Sequence, residues 1–468
     1  MIDHQALAER LSALAEAQHI AGYTACILGP EGPIFELARG VRDDKGTPTN
    51  MDTMFGIGSL SKSMTALCVC ILAVEGKLGI DDLVTHWVPR FRMTNGQETG
   101  VTLRHLLTHT SGLPPMEPLE WSSAMNTQGR QAGEDVLALQ KTAPNAIDCI
   151  AQVLDYIAVC PHRPVGAPGE TFSYSNEGYA ILSYVVDAAA GMPLERYMQE
   201  RVFTPLGMTR TILDNGIDDA RALSGGNITS LFTWEDEQQV IDDGWSILPP
   251  YRGCAMVKST ARDLAAYYRA IANYGLHEGK QAFPREAVEL MIGAAYPAGP
   301  EPFMCMGLNK RSHAGHVIVD HGGALHGVSA KGALLPAEGY GFAIATNESD
   351  VGLDRMMWTM ENAVLGLSLD ESHEWFIPTG KDYPTPERIA GRYAACEGFW
   401  SRLTVADDGR HAERDGEALT LVDCGNDRFC ARDKDGGLSS RLTFHIKDGK
   451  AWGVSVGTRV FMLEEAKA

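Results

Sequence analysis

Gly58-Ser59-Leu60-Ser61-Lys62 sets a hydroxyl and an amine three positions apart at the head of an apolar run. On a helix, positions i and i+3 share a face, so the Lys62 amine is expected to reach the Ser59 hydroxyl. A serine hydroxyl is a poor nucleophile until a neighbouring base takes its proton. Burial or cationic neighbours lower a lysine pKa towards that role. The helix start also leaves backbone N–H groups without intrahelical partners, and an oxyanion could form there. Ser-x-x-Lys is short enough to arise by chance, and an N-cap serine followed by a solvated lysine fits it too.

Two further stretches carry polar groups at turns. In Phe172-Ser173-Tyr174-Ser175-Asn176, a phenol and an amide two apart lead into a helix. Tyr174 could shuttle a proton between nucleophile and leaving group. Asn176 could orient Lys62 or hold a substrate amide. A turn with an N-cap asparagine is the plainer alternative. In Asp320-His321-Gly322-Gly323-Ala324, paired glycines close a strand-like run and let another backbone or a substrate approach. Ala324 N–H is then a candidate second oxyanion donor, with Gly323 beside the substrate and His321 at the cleft wall. A tight turn with a surface histidine is the alternative.

Elements must bring these stretches together. Leu7, Leu11, Leu14 and Ala15 line one face of a helix over Gln5–Gln18. Tyr23–Leu28 and Ile34–Ala38 read as a hairpin around Gly29-Pro30-Glu31-Gly32-Pro33. A strongly apolar helix runs from Ser59 to about Glu75 and stops at Gly76. The stretch 115–148 reads as a loop-rich cover over a site. Helices follow over Ala151–Val159, Gly178–Ala190 and Ala261–Tyr274. Strands come next at His316–Asp320, Ser329–Leu335 and Gly341–Thr346, then a helix at Leu353–Leu365. This order suits an antiparallel sheet closed by the first and last groups, a helical middle lobe, and a cleft between them. A proline-bearing linker leads to short strands separated by Asp-Gly turns, the texture of a small up-and-down β-barrel. The expected division is a hydrolase domain at 1–368, a linker at 369–388 and a lipocalin-like barrel at 389–468.

Together the three stretches resemble the motif set of penicillin-binding proteins and serine β-lactamases: Ser-x-x-Lys, then Tyr-x-Asn, then Lys-Thr-Gly. Here it reads Ser59–Lys62, Tyr174–Asn176 and His321–Gly323. Leu103–Leu113, Ala167-Pro168-Gly169, Phe203–Met208 and Ser259–Leu264 also look like the class C-like branch, over about residues 5–367. The resemblance implies a two-lobed α/β (α+β) fold, with the site between an α/β half and an all-α half. Histidine replaces the lysine that in those relatives helps bind a substrate carboxylate. That departure resembles the D-aminopeptidase, D-amino-acid amidase and esterase branch, some members of which add a β-barrel. The implied activity is hydrolysis of amide or peptide bonds in short substrates, of either L or D configuration, through an acyl-Ser59 intermediate. Carboxylesterase activity, weak β-lactamase activity and a non-catalytic scaffold remain as alternatives.

The 468 residues carry 44% hydrophobic and 21% charged side chains and a formal charge of −20. That length exceeds what one core usually supports, so two domains are expected. Such a negative surface repels nucleic acid and anionic membranes, leaving a small molecule or short peptide as partner. A homodimer is compatible. The ten cysteines are scattered and read as buried free thiols of a reducing, cytoplasmic setting; Cys424 and Cys430 could face each other in a hairpin but are expected to stay unbonded. The N-terminus lacks a signal-peptide pattern, and no membrane span is expected. His105 and His109 have a spacing that could chelate zinc, and His313, His316, His321 and His326 cluster. No carboxylate or thiol motif completes either set, so no metal and no cofactor are expected. Glu235-Asp236-Glu237 with Asp242-Asp243 could hold a substrate ammonium or form a solvated loop.

Overall fold

A computed structural model describes residues 2–94, 96, 100–127, 139, 141, 143, 147–235, 238–242, 244–293, 296–297, 303–349 and 351–464. Its centre is an eight-stranded antiparallel sheet. The strand order is Tyr296–Pro297, Phe303–Met304, Asn309–His313, His316–Leu325, Val328–Leu335, Tyr340–Thr346, Gly22–Gly29 and Gly32–Gly40. The N-terminal hairpin therefore joins the late strands, as the element order implied. Tyr23 sits opposite Thr346, and Thr346 opposite Ser329.

Helices cover both faces. His4–Glu16 and Asp354–Leu365 pack together on one side, where Leu7, Leu11, Phe342, Ile344, Met356 and Met360 are buried. Ala261–Ala272 lies across the other side. Gly332 and Gly341 allow that close approach: a β-carbon on Gly332 would fall 1.8 Å from the Tyr268 ring, and one on Gly341 2.3 Å from Arg269 N. Beyond this layer the helical lobe surrounds Ser61–Val74, buried from Ser61 through Leu72. A helix apolar all round belongs in a core. Asn176–Ala190 packs against it, capped by the Ser175 hydroxyl accepting from Gly178 N at 3.1 Å and ended by Gly191 at φ 67°.

The C-terminal part is a closed eight-stranded barrel from Gly391–Glu397 to Arg459–Leu463, each strand paired with its neighbour in sequence. The ends close through Tyr393 opposite Leu463. Tyr393, Leu403, Phe429, Phe444 and Val454 fill its interior. Eight strands make this barrel.

The structure departs from expectation elsewhere. Within the anticipated cover, Pro118–Asn126 is a helix that buries Trp121 and Ala124; most of 127–148 lies outside the described residues. The segment expected as a linker is tied down. His373 packs against Arg311, Phe376 is buried with Cys424 and Cys430, and Arg441 pairs with Glu374. Cys424 and Cys430 keep free thiols with sulfurs 3.6 Å apart, and of the ten cysteines only Cys149 is exposed. No helix among the described residues is long and apolar enough to cross a membrane.

Candidate active site

Gly58–Leu60 form a single 3-10 turn and the α-helix begins at Ser61, two residues later than the spacing implied. Ser59 therefore sits on the tighter turn and Lys62 in the first α turn. The side chains still converge: Lys62 Nζ donates to Ser59 Oγ at 2.9 Å and to the Cys254 carbonyl at 3.2 Å. Lys62 is fully buried, whereas Ser59 opens onto a cleft of about 1120 Å³. Tyr174 closes the third side, with Lys62 Nζ 4.9 Å from its ring centroid. His109 stacks on the Tyr174 ring at 4.2 Å and accepts from Ser175 N through Nδ1 at 3.0 Å, which fixes the tyrosine loop.

The strand His316–Leu325 runs against the Ser59 turn. Gly58, at φ 50°, lies so near Ala324 that a β-carbon on it would come within 2.6 Å of Ala324 N. A β-carbon on Gly323 would lie 2.1 Å from Ile57 O and 2.9 Å from Ser59 N. Glycine at both positions thus lets the backbones of Ser59 and Ala324 meet, the arrangement expected of paired oxyanion donors. Gly322 is different: a β-carbon there meets nothing within 4 Å.

Electrostatics revise one expectation. Burial alone would make Lys62 shed its proton, but its attraction to Cys254 and Tyr174 outweighs that and holds its pKa above the ordinary lysine range. His321 does line the cleft, 5% exposed, and burial together with the Lys62 charge pushes its pKa down to about 4. It is a neutral imidazole at pH 7. The unfolded chain takes up this proton near pH 6.5, while the fold resists until about pH 4, so its contribution is intact above 6.5 and is lost as pH falls. Urea unfolding at pH 7 and 4.5 is expected to show a loss of roughly 2–3 kcal/mol from this group. His321→Gln should remove that increment, and an equal loss in the variant contradicts the assignment.

Asn176 does not orient Lys62. Its Oδ1 accepts from the Cys254 thiol at 3.3 Å and its Nδ2 donates to Glu397 at 3.1 Å. Glu397 belongs to the barrel and is clamped by Arg459 through two bonds of 2.7 Å. Arg459 lies 4.4 Å over the Tyr174 ring, and Tyr174 N donates to Thr458 O at 3.0 Å. The barrel therefore forms one wall of the cleft. Sequence reasoning missed Glu397, Thr458 and Arg459, and no motif marks them. It also missed Glu120 and Glu177. Burial pushes both carboxyls up to about 7, Glu120 helped by Glu397.

The histidines considered for metal go to separate partners. His105 caps its helix with Thr102, His316 bonds Glu338 and His326 bonds Asp242. Asp236, Glu237 and Asp243 of the acidic run lie outside the described residues.

Residues 7–364 match the β-lactamase family. The chain belongs to that family. Within it, this β-lactamase-family chain is 32% identical over 214 residues to esterase EstB of Burkholderia gladioli, covering 44% of this chain and 52% of the esterase. It is 33% identical over 168 residues to penicillin-binding protein 4* of Bacillus subtilis, covering 36% and 32%. The matches thus span about half of the first relative and a third of the second. Among solved structures, SurE covers 98% of this chain and 99% of its own at TM-score 0.73 and 21% identity. A D-stereospecific amidohydrolase from Streptomyces sp. covers 78% and 100% at TM-score 0.61 and 23% identity. These structural likenesses are of fold. The first spans the barrel as well as the sheet and helical lobe.

Proposed function

We propose that this chain hydrolyses amide bonds of short substrates, including ones with D-residues, through an acyl-Ser59 intermediate. The contact between Ser59 Oγ and Lys62 Nζ at 2.9 Å, beneath Tyr174 and open to the cleft, carries this reading. Lys62 and Tyr174 act as one coupled pair, so a single deprotonation leaves ammonium with phenolate or amine with phenol. Either form accepts the Ser59 proton as Oγ bonds the carbonyl carbon. Backbone N–H groups of Ser59 and Ala324 hold the oxyanion. When the C–N bond breaks, the pair returns its proton to the leaving amine. Water then attacks the acyl-serine, giving its proton to the pair, and Ser59 Oγ leaves carrying that proton. His321, neutral beside Lys62, lines the substrate's path.

Charge in the cleft supports an amine-bearing substrate over a carboxylate-bearing one. The third motif offers a neutral imidazole where a lysine would bind a carboxylate. Lys331, one strand over, is already held by Asp354 at 2.7 Å, and Arg459 by Glu397. Glu120, its carboxyl pushed up to about 7, adds partial negative charge to the lining. The similarity to an esterase favours a second reading, carboxylesterase activity. The proposal carries with it the division at 1–368, 369–388 and 389–468. A homodimer is retained; a structurally similar penicillin-binding protein homologue from Pyrococcus abyssi is described as octameric.

A kinetic panel separates these readings. D- and L-amino-acid p-nitroanilides with free amines should be compared with their N-acetyl forms and with short p-nitrophenyl esters. Turnover of free-amine D-anilides is expected, with kcat/KM falling at least ~10-fold on acetylation. Turnover confined to the esters selects the esterase reading.

A further inference from the structure

A second cluster lies behind the cleft, at the seam between the helical lobe and the barrel. Glu117 stands at the N-cap of Pro118–Asn126, and Cys160 at the C-cap of Ile150–Val159 with His162 two residues on. One ligand atom from each of Glu117, Cys160 and His162 lies within 4.8 Å of the others. Glu117 Oε1 meets His162 Nε2 at 2.9 Å, and its other oxygen accepts from Tyr156 OH. Burial, with Glu117 and Cys160 nearby, pushes up the thiol of Cys396 on the first barrel strand. Both cysteines are 3% exposed. The His162 ring stands edge-on to Trp400 of the barrel, with centroids 5.2 Å apart.

We propose that Glu117, Cys160, His162 and Cys396 form a zinc site that pins the barrel to the hydrolase lobe. Two sulfurs, one imidazole nitrogen and one carboxylate oxygen are a set suited to tetrahedral zinc. Ligand atoms of such a site stand roughly 3.3–3.8 Å apart, given zinc–ligand bonds of about 2.0–2.3 Å. The separations among Glu117, Cys160 and His162 therefore need to close by no more than about an ångström, and Cys396 would swing in from beside Glu117 to complete the set. The partly exposed edge of His162 provides an entry path. Two helix ends and a barrel strand supply the four groups. No local motif is written in the sequence beyond Cys160-x-His162, which is why the sequence argument expected no metal. Binding would release the two thiol protons to solvent and leave thiolates on the metal. It would also fix the strand that presents Glu397, the next residue, to Asn176 and Arg459 in the cleft.

Cobalt titration of the full-length, chelator-treated protein tests this. One Co2+ per chain is expected, with the visible bands of a tetrahedral ion and a near-ultraviolet thiolate charge-transfer band, both erased by Zn2+. Cys160→Ser and Cys396→Ser should each cut the charge-transfer band by about half and weaken binding at least ~100-fold. The exposed Cys149→Ser should change nothing. Retained labelling of Ser59 by a phosphonate verifies that each variant folds. X-ray absorption at the zinc edge of the wild-type protein provides a readout independent of variants, and two sulfurs with two N/O ligands are expected. No stoichiometric uptake at low micromolar metal, a band unchanged in either buried-cysteine variant, or a sulfur-free shell overturns the site and leaves a hydrogen-bonded cluster only.

Discussion

Lys62→Met is expected to lower kcat/KM by about 10³–10⁴-fold while the protein still folds. The size follows from the role: general acid–base groups typically contribute 10²–10⁴, and groups that act as a unit fail together. Lys62 donates to Ser59 and to the Cys254 carbonyl and faces the Tyr174 ring. Methionine matches its length and removes a buried cation, so packing survives. The orphaned partners should cost about 1–3 kcal/mol of stability. Lys62→Arg is not expected to rescue activity. A planar guanidinium does not fit a pocket shaped for a single ammonium, and it does not give up its proton. Steady-state kinetics with the best anilide, alongside thermal unfolding, check this. An active Lys62→Met enzyme removes the lysine from the chemistry.

Gly323→Val is expected to reduce kcat by about 10²–10³-fold, the usual cost of losing one oxyanion donor. The new side chain would clash with Ile57 O at 2.1 Å and with Ser59 N at 2.9 Å, both backbone atoms. The strand must then move off the Ser59 turn and carry Ala324 N with it. KM should change far less than kcat, because the loss falls on the transition state. Gly322→Ala is the control one residue away, where a β-carbon meets open space. It is expected to stay within about threefold of the parent for small substrates. Equal effects at both glycines would mean that the backbone approach at Gly323 is not what catalysis needs.

Much of this site was legible in the chain because its chemistry is local in sequence. Ser59 and Lys62 share a helical face, and the shift from an α turn to a 3-10 turn at Ser59 does not separate them. Gly322-Gly323 announced a close approach, though only the structure tells the tight glycine from the open one. The apolar Ser61–Val74 run had to be central. Other features depend on contacts between segments far apart in the chain. Glu397 and Arg459 reach Asn176 and Tyr174 from the barrel, and no pattern near either end encodes that meeting. Glu120 lies in a helix anticipated as loop, because its prolines and polar residues hid the buried face of Trp121 and Ala124. The sign of the Lys62 shift was misjudged for a related reason. Burial was readable, but the Cys254 and Tyr174 partners that keep the charge were not.

The most direct test is intact-mass and peptide-mapping analysis after reaction with a fluorophosphonate. The account predicts one adduct per chain on the peptide that contains Ser59, and none in Ser59→Ala, whose kcat should fall at least ~10⁴-fold. Undiminished labelling of Ser59→Ala, or an adduct mapped to any other residue, contradicts it.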